Sequence, residues 1–177
     1  MAKKKDQQGS AKTAEEKPAN YADPASTPEV GRPARSIGGL AKKLANADPE
    51  TAQTGKRVLW QVVHTVGGPG NDRRKGRTVE ELLKLLDKSQ PTVVKREAIW
   101  ALSELAGDEA VDPVAALLAD EDLREDARMV LQRLPGDKSL AAHKAGLEAA
   151  PEEFYINIAE SLRARGVDVH GLPDEKL

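Results

Sequence analysis

The chain has 177 residues, of which 39% are hydrophobic and 32% charged, with a formal net charge of −2 and no cysteine. The near-neutral charge argues against a general nucleic-acid coat, and the absence of cysteine excludes disulfides, thiol nucleophiles and cysteine-bound zinc. Because no run approaches the roughly 20 apolar residues that cross a bilayer, the composition predicts a soluble, cytoplasmic protein.

The two ends of the chain differ in composition from its middle. Residues 1–34 carry charged and polar side chains and several prolines, with almost no bulky apolar residues. Such a segment cannot bury enough surface to offset the entropy lost on ordering, so we predict a disordered N-terminal tail. Residues 35–168 are predicted to form the folded domain, and residues 169–177 a short C-terminal tail.

Helix start and stop signals follow one another through the middle of the chain. Asp48, Pro49 and Glu50 form a start signal, in which an N-cap acid precedes a first-turn proline and a further acid. The run from Thr78 to Glu81 fits a capping box. No segment predicts a β-strand. The predicted helices pair into four units and cover residues 35–47, 49–66, 78–88, 91–106, 109–119, 121–134, 138–149 and 151–165.

An insertion over residues 67–77 lengthens the first interval between units. Its glycines predict a mobile, exposed loop, and it holds the basic residues Arg73, Arg74, Lys75 and Arg77. One interpretation is a contact with an anion, such as phosphate, or with an acidic partner. The other is a solvated loop that only joins two units.

The second helix of each pair repeats one apolar pattern. Apolar residues at i, i+4 and i+7 or i+8 form a stripe that one helix pair cannot bury alone, so successive pairs are predicted to stack. Lys95 and Arg124 follow the first apolar residue of their helices and are predicted to bond an acid or carbonyl of a neighbouring repeat. The apolar anchors, 40, 29 and 31 residues apart, are Val62, Leu102, Leu131 and Leu162.

The repeat resembles a known family. Its clearest copy reads Val94-Lys95-x-x-Ala98-Ile99-x-Ala101-Leu102-x-x-Leu105-x-Gly107-Asp108. This pattern resembles the short HEAT repeat of phycobilisome lyase-type HEAT proteins over roughly residues 35–168. The resemblance implies an all-α, right-handed solenoid of about four antiparallel helix pairs. It does not imply lyase activity, because fold alone does not give function.

Large side chains recur two places before the anchors. We call Trp60, Trp100 and Met129 the tryptophan column; in the fourth unit the position holds Glu160. The column is predicted to face a concave, partner-binding groove, since tryptophan dominates binding surfaces. Alternatively, the tryptophans fill the gap between adjacent units. The predicted groove residues are Trp60, Arg96, Trp100, Glu104, Arg128, Met129, Gln132 and Arg133.

No residue pattern predicts catalysis, a metal or a cofactor. His64, His143 and His170 lie in separate segments, and none has a second histidine at i+3 or i+4. HEAT-like deoxyhypusine hydroxylases carry His-Glu pairs for iron, and this chain has none. Ser103 and Ser161 have no histidine placed to activate them, and no phosphate-binding glycine motif occurs.

The leading hypothesis is therefore a non-enzymatic interaction or scaffold module that binds a protein on its concave face. One alternative is nucleic-acid binding through the basic insertion and the groove arginines Arg96, Arg128 and Arg133, because the repeats are similar to those of HEAT-like DNA glycosylases. The other alternative is an accessory to a bilin-lyase type of enzyme.

Overall fold

The computed structural model describes residues 36–170, all of which fall within one compact unit. The predicted tail at residues 1–34 and most of the predicted C-terminal tail lie outside the described residues. Residues 36–170 contain no strand. Their α-helices are α1 (Ile37–Leu44), α2 (Pro49–Gly67), α3 (Asp72–Lys84), α4 (Thr92–Leu105), α5 (Val111–Ala115), α6 (Arg124–Arg133), α7 (Gly136–Ala149) and α8 (Glu152–Ala164).

The eight helices form four antiparallel pairs in two layers. Each odd-numbered helix packs on the even-numbered helix that follows it, and α2, α4, α6 and α8 contact one another in succession. On the other side, α1 contacts α3 and α5 contacts α7. This confirms the predicted HEAT-like α-solenoid. No helix in the described range is long and apolar enough to cross a membrane.

One apolar core runs through the first three pairs, and the fourth pair adds a smaller one. Leu102 and Leu131 are fully buried in the large core, as the repeat pattern predicts. In α2, however, Leu59 and Val63 are the buried residues and the expected anchor Val62 is only partly buried. Leu162 belongs to the smaller cluster of the fourth pair.

The α1–α2 crossing explains why a glycine interrupts the repeat pattern in α2. Gly55 is buried against α1, and a Cβ built on it would lie 2.8 Å from Lys43 Cβ and 3.1 Å from the Leu44 backbone nitrogen. Both distances are shorter than ordinary van der Waals contacts. The two helices can approach this closely only because residue 55 has no side chain.

The insertion is mostly helical, so the prediction of a mobile basic loop over residues 67–77 was wrong. Gly70, with φ +78°, and Asn71 close a short turn in which the Asn71 amide donates to the carbonyl oxygens of Thr65 and Gly68. Helix α3 then begins at Asp72. Thr78 is buried inside α3, so the predicted capping box was also wrong. Charged residues on the exposed face of α3 had hidden its helical pattern.

The first helix of the third unit is shorter than predicted. Pro113 lies inside α5, and its missing N–H limits how far an α-helix can extend before it. Short 3-10 turns flank α5 at Asp108–Ala110 and Ala116–Ala119, and Pro113 accounts for the first of them.

Candidate partner-binding groove

The indole of Trp60 is held by a carboxylate from the next repeat. Trp60 Nε1 donates to Glu97 Oε2 at 3.1 Å, and Lys56 Nζ, one turn earlier on α2, lies 2.6 Å from Glu97 Oε1. Glu97 is 9% exposed, so both oxygens of a nearly buried carboxylate are satisfied by α2. We call this arrangement an indole clamp: a cation and a tryptophan on one helix both bind the carboxylate of an acid on the next even-numbered helix.

A second indole clamp joins α4 to α6. Trp100 Nε1 donates to Asp126 Oδ1 at 2.9 Å, and Arg96 Nε donates to Asp126 Oδ2 at 2.7 Å. Arg96 also donates to the Asp122 carbonyl oxygen at 2.6 Å. Asp126 occupies the same repeat position as Glu97, five residues before the anchor, so the clamp is itself a repeated feature.

The junction between α6 and α8 replaces the clamp with a network of neutral and charged groups. Glu125 occupies the repeat position that holds the cation, Lys56 or Arg96, in the two clamps. Its carboxylate accepts hydrogen bonds from Asn157 Nδ2 at 3.0 Å and from the Arg128 guanidinium at 2.6 and 2.9 Å. Arg128 also donates to the Ser161 hydroxyl, which donates to Gln132 Oε1 at 3.0 Å. Two residues of the predicted groove therefore connect α6 to α8.

The tryptophan column is partly exposed. This result lies between the two alternatives, a column that faces an open groove and tryptophans that fill the gap between units. Trp60 and Trp100 are half-buried, while Met129 is 41% exposed. Val93 is 45% exposed and lies two turns before Trp100 on the same face of α4. Glu160, which pairs with Arg163, ends the column. Together these side chains give the even-numbered helices an apolar, partly exposed strip.

The charged residues of the predicted groove pair with one another or with neighbouring acids. Glu104 on α4 forms an ion pair with Arg133 on α6. Arg96 and Arg128 are engaged by Asp126 and Glu125, as described above. The structure thus places Arg96, Trp100, Glu104 and the α6 residues along one interface, with little free positive charge. That they bind a partner stays a prediction.

The two basic residues predicted to bond between repeats do so. Lys95 Nζ lies 3.2 Å from Asp120 Oδ2, and Arg124 lies 3.7 Å from Glu153. The Arg124 guanidinium carbon also stands 5.1 Å from the centre of the Phe154 ring, a cation–π geometry. These contacts link successive pairs at positions fixed by the repeat.

The predicted anion-contact residues lie apart from the groove helices, on α3 of the other layer. Arg73, Arg74 and Arg77 are exposed and Lys75 is half-buried. None of the four forms an ion pair or a side-chain hydrogen bond with residues 36–170. The structure therefore separates the two groups of residues that the nucleic-acid hypothesis combined.

His143 is a buried structural residue on α7 that contacts α6. It is 0% exposed, and its Nδ1 and Nε2 lie 3.2 Å from the carbonyl oxygens of Ser139 and Arg128. Burial, with further contributions from the charges of Arg165 and Arg128, lowers its pKa. The neutral ring has one N–H and can donate to only one of these carbonyls. Within residues 36–170 no three histidines and acids come together in a group that could hold a metal.

Glu97 and Asp126 are the important residues that the sequence analysis did not identify. Each lies five residues before an anchor, so their shared position in the repeat was visible. A repeat register shows which positions correspond, but it does not show that an acid in one unit will meet the indole of the unit before it.

Comparison with known proteins supports the repeat assignment. A family model described as HEAT repeats matches residues 39–163, which is most of the chain. No curated protein matches the sequence. The resemblance to HEAT repeats is therefore confirmed, while the narrower likeness to the phycobilisome lyase-type group stays a prediction.

Proposed function

The chain belongs to the HEAT-repeat family, and from that membership we propose that it is a non-enzymatic interaction module. Its protein partner would bind along α2, α4 and α6, over the tryptophan column. HEAT repeats generally mediate protein–protein interaction or scaffolding, which supports the general statement. The position of the site on this chain is our inference.

The indole clamps are the observation that carries the proposal. Each tryptophan is fixed by a hydrogen bond to the next repeat while part of its ring stays exposed. A side chain that is already immobilised loses little rotamer entropy when a partner binds. Tryptophan is also enriched among residues that dominate binding energy.

The charges of the groove indicate which kind of partner segment would fit. The carboxylates of Glu97 and Asp126 are neutralised by Lys56 and Arg96, and Glu104 is neutralised by Arg133. The exposed Met129 and Val93 lie among these matched charges. A partner segment with apolar side chains would bury Met129 and Val93 without leaving a charge unpaired. Exposed apolar surfaces of this kind mark interaction sites.

Met129 offers a test that does not break a clamp. We expect Met129→Lys to weaken partner binding by about tenfold, because a charge would be buried without a counter-ion. The matched control is Ala145→Lys, which adds the same charge to an exposed position on α7 in the other layer.

Binding would be measured by capture from an extract of the source cells, followed by titration of the purified partner. Equal affinity of wild type and Met129→Lys for every captured partner would show that the groove is not the binding site.

Nucleic-acid binding is less favoured, because Arg96, Arg128 and Arg133 are already paired with acids. A salt titration of binding to duplex DNA decides it, since phosphate contacts weaken steeply as salt rises. No affinity at low salt would remove this alternative. Within residues 36–170, no side-chain arrangement favours the accessory role to a bilin-lyase type of enzyme.

A further inference from the structure

Four neighbouring cations on α3 are not used in the fold. Elsewhere the chain joins its repeats by pairing cations with acids of the next unit, as Lys56, Lys95 and Arg96 do. Arg73, Arg74, Lys75 and Arg77 fall within five residues and form no ion pair with the described part of the chain. These four residues are called the α3 basic cluster below.

The α3 basic cluster also opposes the local preferences of the helix that carries it. Arg73, Arg74 and Lys75 lie in its first turn, where the helix dipole favours acids and disfavours cations. Gly76 lies inside the helix although a Cβ there would meet nothing within 4 Å, so packing does not require a glycine. Local departures without a packing reason are expected at functional positions.

We propose that the α3 basic cluster binds an acidic segment of a protein partner. Arg73 and Arg77 are one turn apart, and Arg74 and Arg77 are also neighbours on the helix surface. Arginine pairs with carboxylates through two parallel hydrogen bonds, and acids beside a helix N-terminus are favoured by the dipole. This surface is separate from the tryptophan column, so the proposal does not rest on the proposed groove.

The distribution of charge favours a short acidic peptide over a nucleic acid. Residues 36–89 contain ten Lys and Arg against six Asp and Glu, whereas residues 90–170 contain nine against sixteen. A long polyanion following the stack would be attracted by the first half and repelled by the second. A short acidic segment can contact the basic half alone.

The test uses the full chain and a fluorescent peptide of about eight Asp and Glu residues, with binding followed by anisotropy at low and high salt. A glutamine peptide and single-stranded DNA of equal length are the comparison ligands. The cluster variant combines Arg73→Gln, Arg74→Gln, Lys75→Gln and Arg77→Gln. The matched control removes four exposed cations elsewhere, through Lys42→Gln, Arg57→Gln, Lys88→Gln and Lys144→Gln.

We expect the cluster variant to bind the acidic peptide about tenfold more weakly than wild type, with the control near wild type. Because Lys75 is half-buried, the double variant Arg73→Gln, Arg77→Gln provides a second measurement at exposed positions alone. Circular dichroism checks that each variant is folded.

Three results would overturn the proposal: no binding of the acidic peptide at low salt, equal weakening in the control, or tighter binding of DNA than of the peptide through the same cations. Met129→Lys should leave peptide binding unchanged. This outcome separates the α3 basic cluster from the groove proposed above.

Discussion

The indole nitrogen of Trp100 links two repeats through one hydrogen bond to Asp126. Trp100→Phe would retain most of the ring's packing and remove that bond. We expect the free energy of unfolding to fall by about 1 kcal/mol, since Arg96 still satisfies the other carboxylate oxygen. Urea denaturation measures this change.

A double-mutant cycle with Asp126→Ala isolates the contribution of the bond itself. If the effects of Trp100→Phe and Asp126→Ala were additive, the indole would contribute by packing alone and its hydrogen bond to Asp126 would add nothing to stability.

His143 makes stability depend on pH in a predictable direction. Its pKa is lowered in the folded chain by burial, so the unfolded chain binds more protons just below the ordinary value of about 6.5. Stability is therefore fully present above that value and is lost as pH falls through it towards the lower folded pKa. We expect the unfolding free energy to decrease over this window.

His143→Gln should flatten the pH dependence, whatever it does to stability at neutral pH. The matched control is His64→Gln, which removes a histidine that is exposed instead of buried. The interpretation fails if the buried and exposed variants show the same slope, as measured by denaturation at several pH values.

At the scale of single helices, Gly55 sets how closely α1 and α2 approach. Alanine is the better helix former, but its Cβ would meet Lys43 Cβ at 2.8 Å and the backbone of Leu44 at 3.1 Å. Because the backbone cannot move aside cheaply, we expect Gly55→Ala to cost about 1–3 kcal/mol. Thermal or chemical unfolding gives the difference.

Gly76 is the matched control for this effect. A Cβ there meets nothing within 4 Å, so Gly76→Ala should gain about 0.5–1 kcal/mol from helix propensity alone. Changes of the same sign in the free energy of unfolding at both glycines would contradict the close-contact explanation for Gly55.

The bounds of the helices show which parts of the fold can be predicted from the sequence. The apolar period correctly predicts α4 and α8 to within two residues, because a buried stripe needs the same spacing wherever it occurs. The start of α3 was missed, because its first turns have charged residues on an exposed face and no apolar stripe. The partners of Trp60 and Trp100 were missed for a different reason: they depend on how far one repeat is displaced against the next.

For the whole molecule, the unequal cores predict unequal local stability. Helix α4 buries seven residues, whereas α7 buries two and α8 belongs to a separate, smaller cluster. In a repeat stack, each unit is stabilised mainly by its neighbours. Hydrogen exchange should therefore be slowest in α4 and faster in α7, as measured by mass spectrometry. Uniform protection across the helices would indicate that the stack opens only as one cooperative unit.

The clamps also bear on how such an array can grow. The second unit contains both the acceptor and the donors of a clamp. Glu97 accepts a hydrogen bond from the unit before it, while Arg96 and Trp100 donate to the unit after it. A tandem duplication of this unit would repeat the clamp at the new junction, while Glu104 would meet a second Glu104 in place of Arg133. The fourth unit has Ile156 and Glu160 at the gripping positions, so nothing can be joined beyond it in the same manner. The clamp alone therefore favours new length after the second unit over new length beyond the fourth.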